Sequence, residues 1–309
     1  MDPPSLCGIF FLLDYGAGRA ETSEIMILSI GEIVWDVIEG REILGGAPLN
    51  VACHLARLGH HTIMLSRVGN DELGRRTISR LKEFGLTASF IGTDPVLPTG
   101  RVLVSFKNGE PFYDIIYPAA WDAIEKIPDD TEDGGRYQLV FGTLAQRDER
   151  SRETIRYHAR RAQKVFYDVN LRPPFTTASL TLESLELAEV VKMNREELDI
   201  VSDWAGLPGN SFAEKRETLR AHFGLQVLCI TRGGSGALLV TPDGTFEHSG
   251  FKVDTVDTVG AGDAFFAALI DAMLRELDWS VCLQRANRLG ALVAGRRGAT
   301  PNYDPSVFD

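Results

Sequence analysis

Short apolar runs alternate with segments of helical period along almost the whole chain. IMILSIG (25–31), TIMLSRVG (62–69), YQLVFG (137–142), KVFYDV (164–169), EVVKMN (189–194), QVLCITR (226–232) and GALLVT (236–241) are rich in β-branched residues, and most end in glycine or a polar residue. Such continuous apolarity predicts strands buried on both faces, as in parallel sheets. Between them lie helical patterns. PLNVACHLARLG (48–59) sets Val51, Leu55 and Leu58 on one face before Gly59, and DELGRRTISRLKEFG (71–85) does the same with Leu73, Ile78 and Leu81 before Gly85. Further helices are predicted over 148–163, 194–203, 211–223, 261–276 and 279–295. The alternation implies an α/β fold, a doubly wound and mostly parallel sheet flanked by helices.

Two stretches break the alternation. Residues 32–44 and 99–118 alternate apolar with polar positions around turn-forming EG and KNGEP, and read as β-hairpins without an intervening helix. They fit either edge strands of the main sheet or a small β-lid over a ligand. With no repeat and no low-complexity linker, one domain over 26–309 with lid segments is favoured over two consecutive domains. Residues 1–25 read as an extension outside that domain: LCGIFFLLDYG is too short to span a membrane and lacks a basic flank.

Composition narrows the function. The chain has 309 residues with a formal net charge of −11, which argues against a nucleic-acid surface because phosphate backbones need a clustered positive field. A small anion remains compatible, since a local nest of amides can hold one. Cys7, Cys53, Cys229 and Cys282 lie too far apart for a zinc knuckle or redox pair and read as reduced thiols of a cytoplasmic protein, without membrane attachment.

The stretch DTVGAGDAF (257–265) concentrates the chemistry. Gly260 and Gly262 allow consecutive N–H groups to face outward, and the helix starting near Ala261 adds its positive dipole end. Together they form an anion site suited to phosphate. Asp263 stands in the first turn, where it serves either as an ordinary dipole-complementing residue or as a functional carboxylate. No GxxxxGK[ST] string exists, and Phe265 stands where a dinucleotide fingerprint needs its third glycine.

The nonamer resembles the second signature of the PfkB/ribokinase family of carbohydrate kinases, with its DTxGAGD core, and GGAPLNVACHLARLG (45–59) resembles the first. The resemblance spans residues 26–300 and implies a ribokinase-like fold and ATP-dependent transfer of phosphate to a sugar hydroxyl. By resemblance, Asp263 is the catalytic base, and Gly260, Ala261 and Gly262 form the anion hole, consistent with phosphoryl transfer that rests on positioning and charge stabilisation. Asp257 matches the acid at the head of the motif, near which relatives hold a monovalent cation such as potassium. Asn194 and Glu197 of NREE match an N-x-x-E element that organises Mg2+ largely through water, although the same residues would serve as a plain helix cap. Asp36, Gly46 and Asn50 match sugar contacts; for Asp36 the plainer reading is a solvent-facing strand residue. DVNLRPP (168–174) is similar to a fructokinase stretch and brings Asn170 and Arg172 to the carboxyl end of a strand, where open α/β sheets bind ligands. Arg172 fits phosphate neutralisation and a structural salt bridge equally. Thr231, Gly233 and Asn287 match the nucleotide side of the site. Phe112, with Tyr113, sits on the presumed lid, where aromatics can stack on a sugar face or simply pack.

Ala47, Pro48 and Leu49 replace the Lys-containing GGKGAN of ribokinases, so the resemblance points to fructokinase-type members. Fructose is the expected substrate, with 2-keto-3-deoxygluconate, ribose or another ketose or sugar acid as alternatives. A sensor that binds sugar without catalysis is the alternative class. The resemblance also implies a homodimer paired through lid strands.

Overall fold

The computed structural model describes residues 25–38, 40–107, 110–128, 136–209 and 211–308. Residues 1–24 lie outside this set, and with them nearly all of the expected extension. The strands are β1 (Met26–Ile30), β2 (Val34–Ile38), β3 (Arg41–Gly45), β4 (Thr62–Gly69), β5 (Ile91–Asp94), β6 (Gly100–Lys107), β7 (Glu110–Ile115), β8 (Tyr137–Gly142), β9 (Lys164–Asp168), β10 (Val190–Asn194), β11 (Val227–Thr231), β12 (Ala237–Thr241) and β13 (Gly244–His248). The helices are α1 (Ala47–Arg57), α2 (Glu72–Glu83), α3 (Glu149–Ala159), α4 (Ala178–Leu187), α5 (Arg195–Trp204), α6 (Phe212–His222), α7 (Ala261–Leu274) and α8 (Trp279–Ala294).

Nine strands form the main sheet in the order β13-β12-β11-β10-β9-β8-β1-β4-β5. The run from β11 to β5 is parallel, as the buried apolar runs predict, whereas β11, β12 and β13 pair antiparallel. The antiparallel edge follows from the short turns that join these strands, which leave no room for a crossover helix.

The two non-helical stretches are not edge strands of this sheet. They make a separate four-stranded sheet, β3-β2-β6-β7. Each hairpin is antiparallel, and the two join through a parallel β2–β6 register from Val34↔Gly100 to Ile38↔Val104. Alternation within them has the expected cause: Val34, Val102 and Ile115 share the inner face and are buried, whereas Leu103, next to Val102, points to the other face and is exposed.

Helix α7 is apolar nearly all round and is sandwiched against the sheet. Its Phe265, Phe266 and Leu269 pack with Val51 and Leu55 of α1 and with Leu283 and Ala286 of α8. A Cβ built on Gly290 of α8 would lie 3.2 Å from the Ala261 carbonyl at the start of α7, so glycine there lets the two helices pack closely. That packing fixes the start of α7, the candidate anion site of the sequence.

Candidate active site

Gly260 caps α7 in the left-handed region, at φ 76°. A Cβ built there would lie 2.4 Å from the Ala299 Cβ. Both the backbone conformation and the contact demand glycine. Gly260→Ala is therefore expected to destabilise the protein by on the order of 1–3 kcal/mol and to displace the 298–301 segment; thermal melts against wild type check this.

Gly262 is different. A Cβ there would meet nothing nearer than the Lys192 Nζ, at 3.5 Å. Nothing in the folded chain requires glycine at this position, but Gly262 lines two cavities at once. Leaving off the side chain keeps the helix amides open to whatever occupies them. Ala261 N–H donates to the Thr258 carbonyl at 3.3 Å, so its amide is partly engaged within the loop. Asp257 braces that loop: one carboxylate oxygen accepts from Val259 N–H and the other from Gly298 N–H, each at 3.0 Å.

The larger of the two cavities, about 640 Å³, lies between the main sheet and the small one. Asn50 reaches it from α1 and Asp263 from α7, and Asn50 Nδ2 donates to Asp263 Oδ2 at 2.8 Å across 213 residues of sequence. Asp36 of β2 and Tyr113 of β7 line the opposite wall. Asn170 and Arg172 line it beyond the end of β9. Asn170 takes a positive φ of 37°, rare for a residue with a Cβ, which marks a loop held by its surroundings. Arg172 makes no ion pair among the described residues, so the salt-bridge reading finds no support. Gly46, at φ 119°, would put a Cβ 2.4 Å from the Glu32 carbonyl, so the backbone needs glycine there whether or not sugar is bound. Phe112 pairs with Ser105 in the β6–β7 ladder; its side chain lies outside the described residues.

The carboxyls facing this cavity hold their protons unusually well. Burial, reinforced by the Asp168 carboxylate, raises Asp263 from 3.8 to about 6, against the opposing pull of Asn50, Lys192 and Arg172. Burial raises Asp36 to about 6 and Glu32 to about 7. A carboxylate in this range near neutral pH can accept a proton and release it again.

The second cavity, about 320 Å³, lies behind the α7 terminus. Thr231, Gly233 and Asn287 line it, as does Phe265, and it shares Thr258 and Gly262 with the first. The two cavities therefore meet at the helix start. Asn287 Nδ2 donates to its own helix at Leu283 O, which leaves its carbonyl oxygen as the group with remaining capacity. Asn194 and Glu197 form the plain capping box: Asn194 Oδ1 accepts from Glu197 N–H and Glu197 Oε2 from Asn194 N–H, both at 2.8 Å. Glu197 Oε1 accepts from Leu171 N–H, so this cap also anchors the loop carrying Asn170 and Arg172. Among the described residues no group of three or more His, Cys, Asp or Glu side chains could hold a metal ion. With both Glu197 oxygens engaged by amides, the pair fits a divalent ion that keeps its waters and takes its direct ligands from phosphate.

The chain matches the profile of the pfkB family carbohydrate kinases over residues 22–305. It belongs to that family. Fructokinase of Vibrio alginolyticus is 29% identical, covering 87% of this chain and 92% of its own. A fructokinase double mutant from Vibrio cholerae, solved with fructose, ADP and potassium ion, superposes with a TM-score of 0.78 at 26% identity over 91% of this chain and 96% of that one. Aminoimidazole riboside kinase from Salmonella enterica, in complex with aminoimidazole riboside and an ATP analog, does so with a TM-score of 0.78 at 26% identity over 92% and 98%. The protein is an ATP-dependent sugar kinase.

Two groups beside the larger cavity, Lys192 and Glu32, lie outside the motifs, and the role of Asp168 within DVNLRPP is not legible from its motif. Lys192 Nζ donates to both Asp168 oxygens at 2.8 Å, a buried pair that joins β10 to β9 beneath Gly262. Burial opposes the Lys192 charge most, but the carboxylates of Asp168, Asp263 and Glu197 together outweigh it and raise the lysine. Glu32 is buried at 3% exposure. The signal was present in the sequence: a lysine inside EVVKMN and an aspartate inside KVFYDV are charges in buried strands, which must find partners.

Proposed function

We propose that this kinase phosphorylates fructose, with Asp263 as general base and the Gly260–Gly262 amides as the anion hole. The observation that carries the reading is the Asn50–Asp263 hydrogen bond in a cavity that meets a second one at Gly262. Asp36, Asn50 and Asn170 hold the sugar hydroxyls, and the carboxylate of Asp263 takes the proton of the hydroxyl that attacks. That oxygen forms its bond to the terminal phosphorus of ATP as the bridging P–O bond breaks and ADP leaves. Gly260–Gly262 and Arg172 meet the charge on the transferred group. Thr231, Gly233 and Asn287 hold the nucleotide. Mg2+, on phosphate oxygens and organised through water by Asn194 and Glu197, would supply charge neutralisation, and potassium beside Asp257 would support the loop. The choice of fructose rests on the fructokinases among the relatives.

ADP release from MgATP with fructose, ribose, 2-keto-3-deoxygluconate and aminoimidazole riboside tests this. Fructose is expected to give the highest kcat/KM. No turnover with any sugar, together with sugar-dependent thermal stabilisation, would make the chain a sensor instead.

The pH profile is a second check. Because Asp263 is raised to about 6, kcat/KM for sugar is expected to fall on the acid side with a midpoint near pH 6. A flat profile through that range would remove Asp263 as the base.

The small sheet turns Leu103 outward on the face away from the sugar cavity, consistent with pairing of lid sheets between two copies as a homodimer. Cys53, Cys229 and Cys282 are buried free thiols, in keeping with a cytoplasmic setting. Among the described residues no helix is long and apolar enough to cross a membrane.

A further inference from the structure

Beside the sugar cavity lies a separate groove of about 700 Å³ that phosphoryl transfer does not use. Helix α2 forms one wall, strand β3 the second and the 297–301 segment the third. Arg75, Arg76, Arg80 and Arg297 line it, against Glu42 and Glu72. This local excess of positive charge runs against a chain whose net charge is −11. It also runs against helix physics, since Arg76 and Arg80 stand at i,i+4, where like charges repel.

The face is organised rather than merely solvated. The Arg76 guanidinium stacks 4.3 Å over the buried Trp35 ring and pairs with Glu42 of β3. Arg297 makes no ion pair among the described residues. The Arg75–Glu72 and Arg80–Glu83 pairs are largely exposed, and exposed pairs contribute little, so both arginines are available to a stronger anion.

We propose that this groove binds a phosphate monoester of sugar size and that its occupant weakens sugar binding next door. Guanidinium forks match the oxygens of a phosphate monoester bidentately, and the volume is that of a small-molecule pocket. The coupling runs through a shared wall. Ile43, Leu44, Gly298 and Ala299 line both this groove and the sugar cavity. Gly298 N–H holds Asp257, and Ala299 lies against Gly260. In the free protein Arg76 ties α2 to β3 through Glu42. A phosphate drawing on Arg76 competes with that tie and frees β3, whose hairpin partner β2 carries Asp36. By reciprocity, sugar weakens the anion by the same factor.

Calorimetric titration reads binding of the ester without turnover and independently of which sugar is phosphorylated, whereas the coupling is read with fructose and rests on the proposed substrate. The probes are glucose 6-phosphate, inorganic phosphate, and sodium sulfate as an ionic-strength control. Wild type is expected to bind glucose 6-phosphate, and saturation is expected to raise the fructose dissociation constant several-fold. The double variant R75Q/R80Q, which leaves Arg76 on Trp35, is expected to weaken glucose 6-phosphate roughly tenfold or more while kcat and sugar KM without the effector stay unchanged. Absence of binding at millimolar concentration overturns the proposal. So does binding that the double variant leaves intact, because the ester then sits in the reaction site. Equal affinity for inorganic phosphate overturns the sugar-sized part, and equal affinity for sulfate overturns the whole.

Discussion

Asp263→Asn is expected to keep the fold and the sugar affinity while losing about 10²–10⁴-fold in kcat, the usual contribution of a positioned base. The amide preserves the shape and leaves an oxygen to accept from Asn50 Nδ2, but it cannot take a proton. The stability of this variant sharpens the assignment. Folding raises the Asp263 pKa from 3.8 to about 6, so this group stabilises the folded state fully below pH 3.8 and loses that contribution as pH rises through 6. At neutral pH the buried carboxylate is a strain on the fold, and the neutral amide removes it. Asp263→Asn is thus expected to melt no lower than wild type at pH 7.5. A carboxylate kept for packing would show the reverse, a lower melt with turnover retained. Steady-state ADP release with calorimetric sugar binding and thermal melts decides between them, and near-normal kcat would overturn the base assignment.

This opposition of stability and function separates what could be read from the chain from what could not. Strands β1, β4 and β8 to β12 are legible because each is a compact apolar run with one burial pattern on both faces. Strand β13 is not: its residues Gly244–His248 are mostly exposed, and an edge strand with solvent on one side loses the apolar signal. Helix α4 is likewise hidden. ASLTLESLEL has no pronounced apolar face, and its start is fixed by Thr177, whose hydroxyl accepts from Leu180 N–H. The hairpins of the small sheet are legible as hairpins, but their parallel union through β2 and β6 joins segments far apart in sequence, and no local pattern encodes it.

The site divides along the same line. Motif residues announce themselves because they break local rules: Gly260 and Gly262 interrupt a helix start, and a carboxylate follows them. Asn50 is legible as part of a signature, but its partner is not, because the Asn50–Asp263 bond exists only once α1 and α7 pack side by side. For Asn194 and Glu197 the structure shows the cap, and it places Glu197 where it also ties down the Asn170–Arg172 loop. A cap and a site scaffold make the same demand on the sequence, so spacing alone cannot divide them.

Lys192→Met is expected to show the largest loss of stability of any single change around the site. Lys192 and Asp168 sit at 10% and 6% side-chain exposure with two hydrogen bonds of 2.8 Å between them. Removing the ammonium strands a carboxylate in the interior, at a cost of about 3–5 kcal/mol. The double variant Lys192→Met/Asp168→Leu removes both charges, and an apolar pair of similar bulk is often as stable as the ion pair it replaces. Most of the lost stability should therefore return in the double variant, measured by denaturant unfolding. Activity separates a bracing role from a purely structural one. Lys192 opposes and Asp168 reinforces the elevation of Asp263. In the single variant the acid limb of kcat/KM is expected to move to higher pH, because the lysine's pull is gone while the aspartate's push remains. In the double variant both influences vanish and the limb should return toward its wild-type position. A limb that stays fixed in both would mean that the Lys192–Asp168 pair holds β9 to β10 without setting the electrostatics of the base above it.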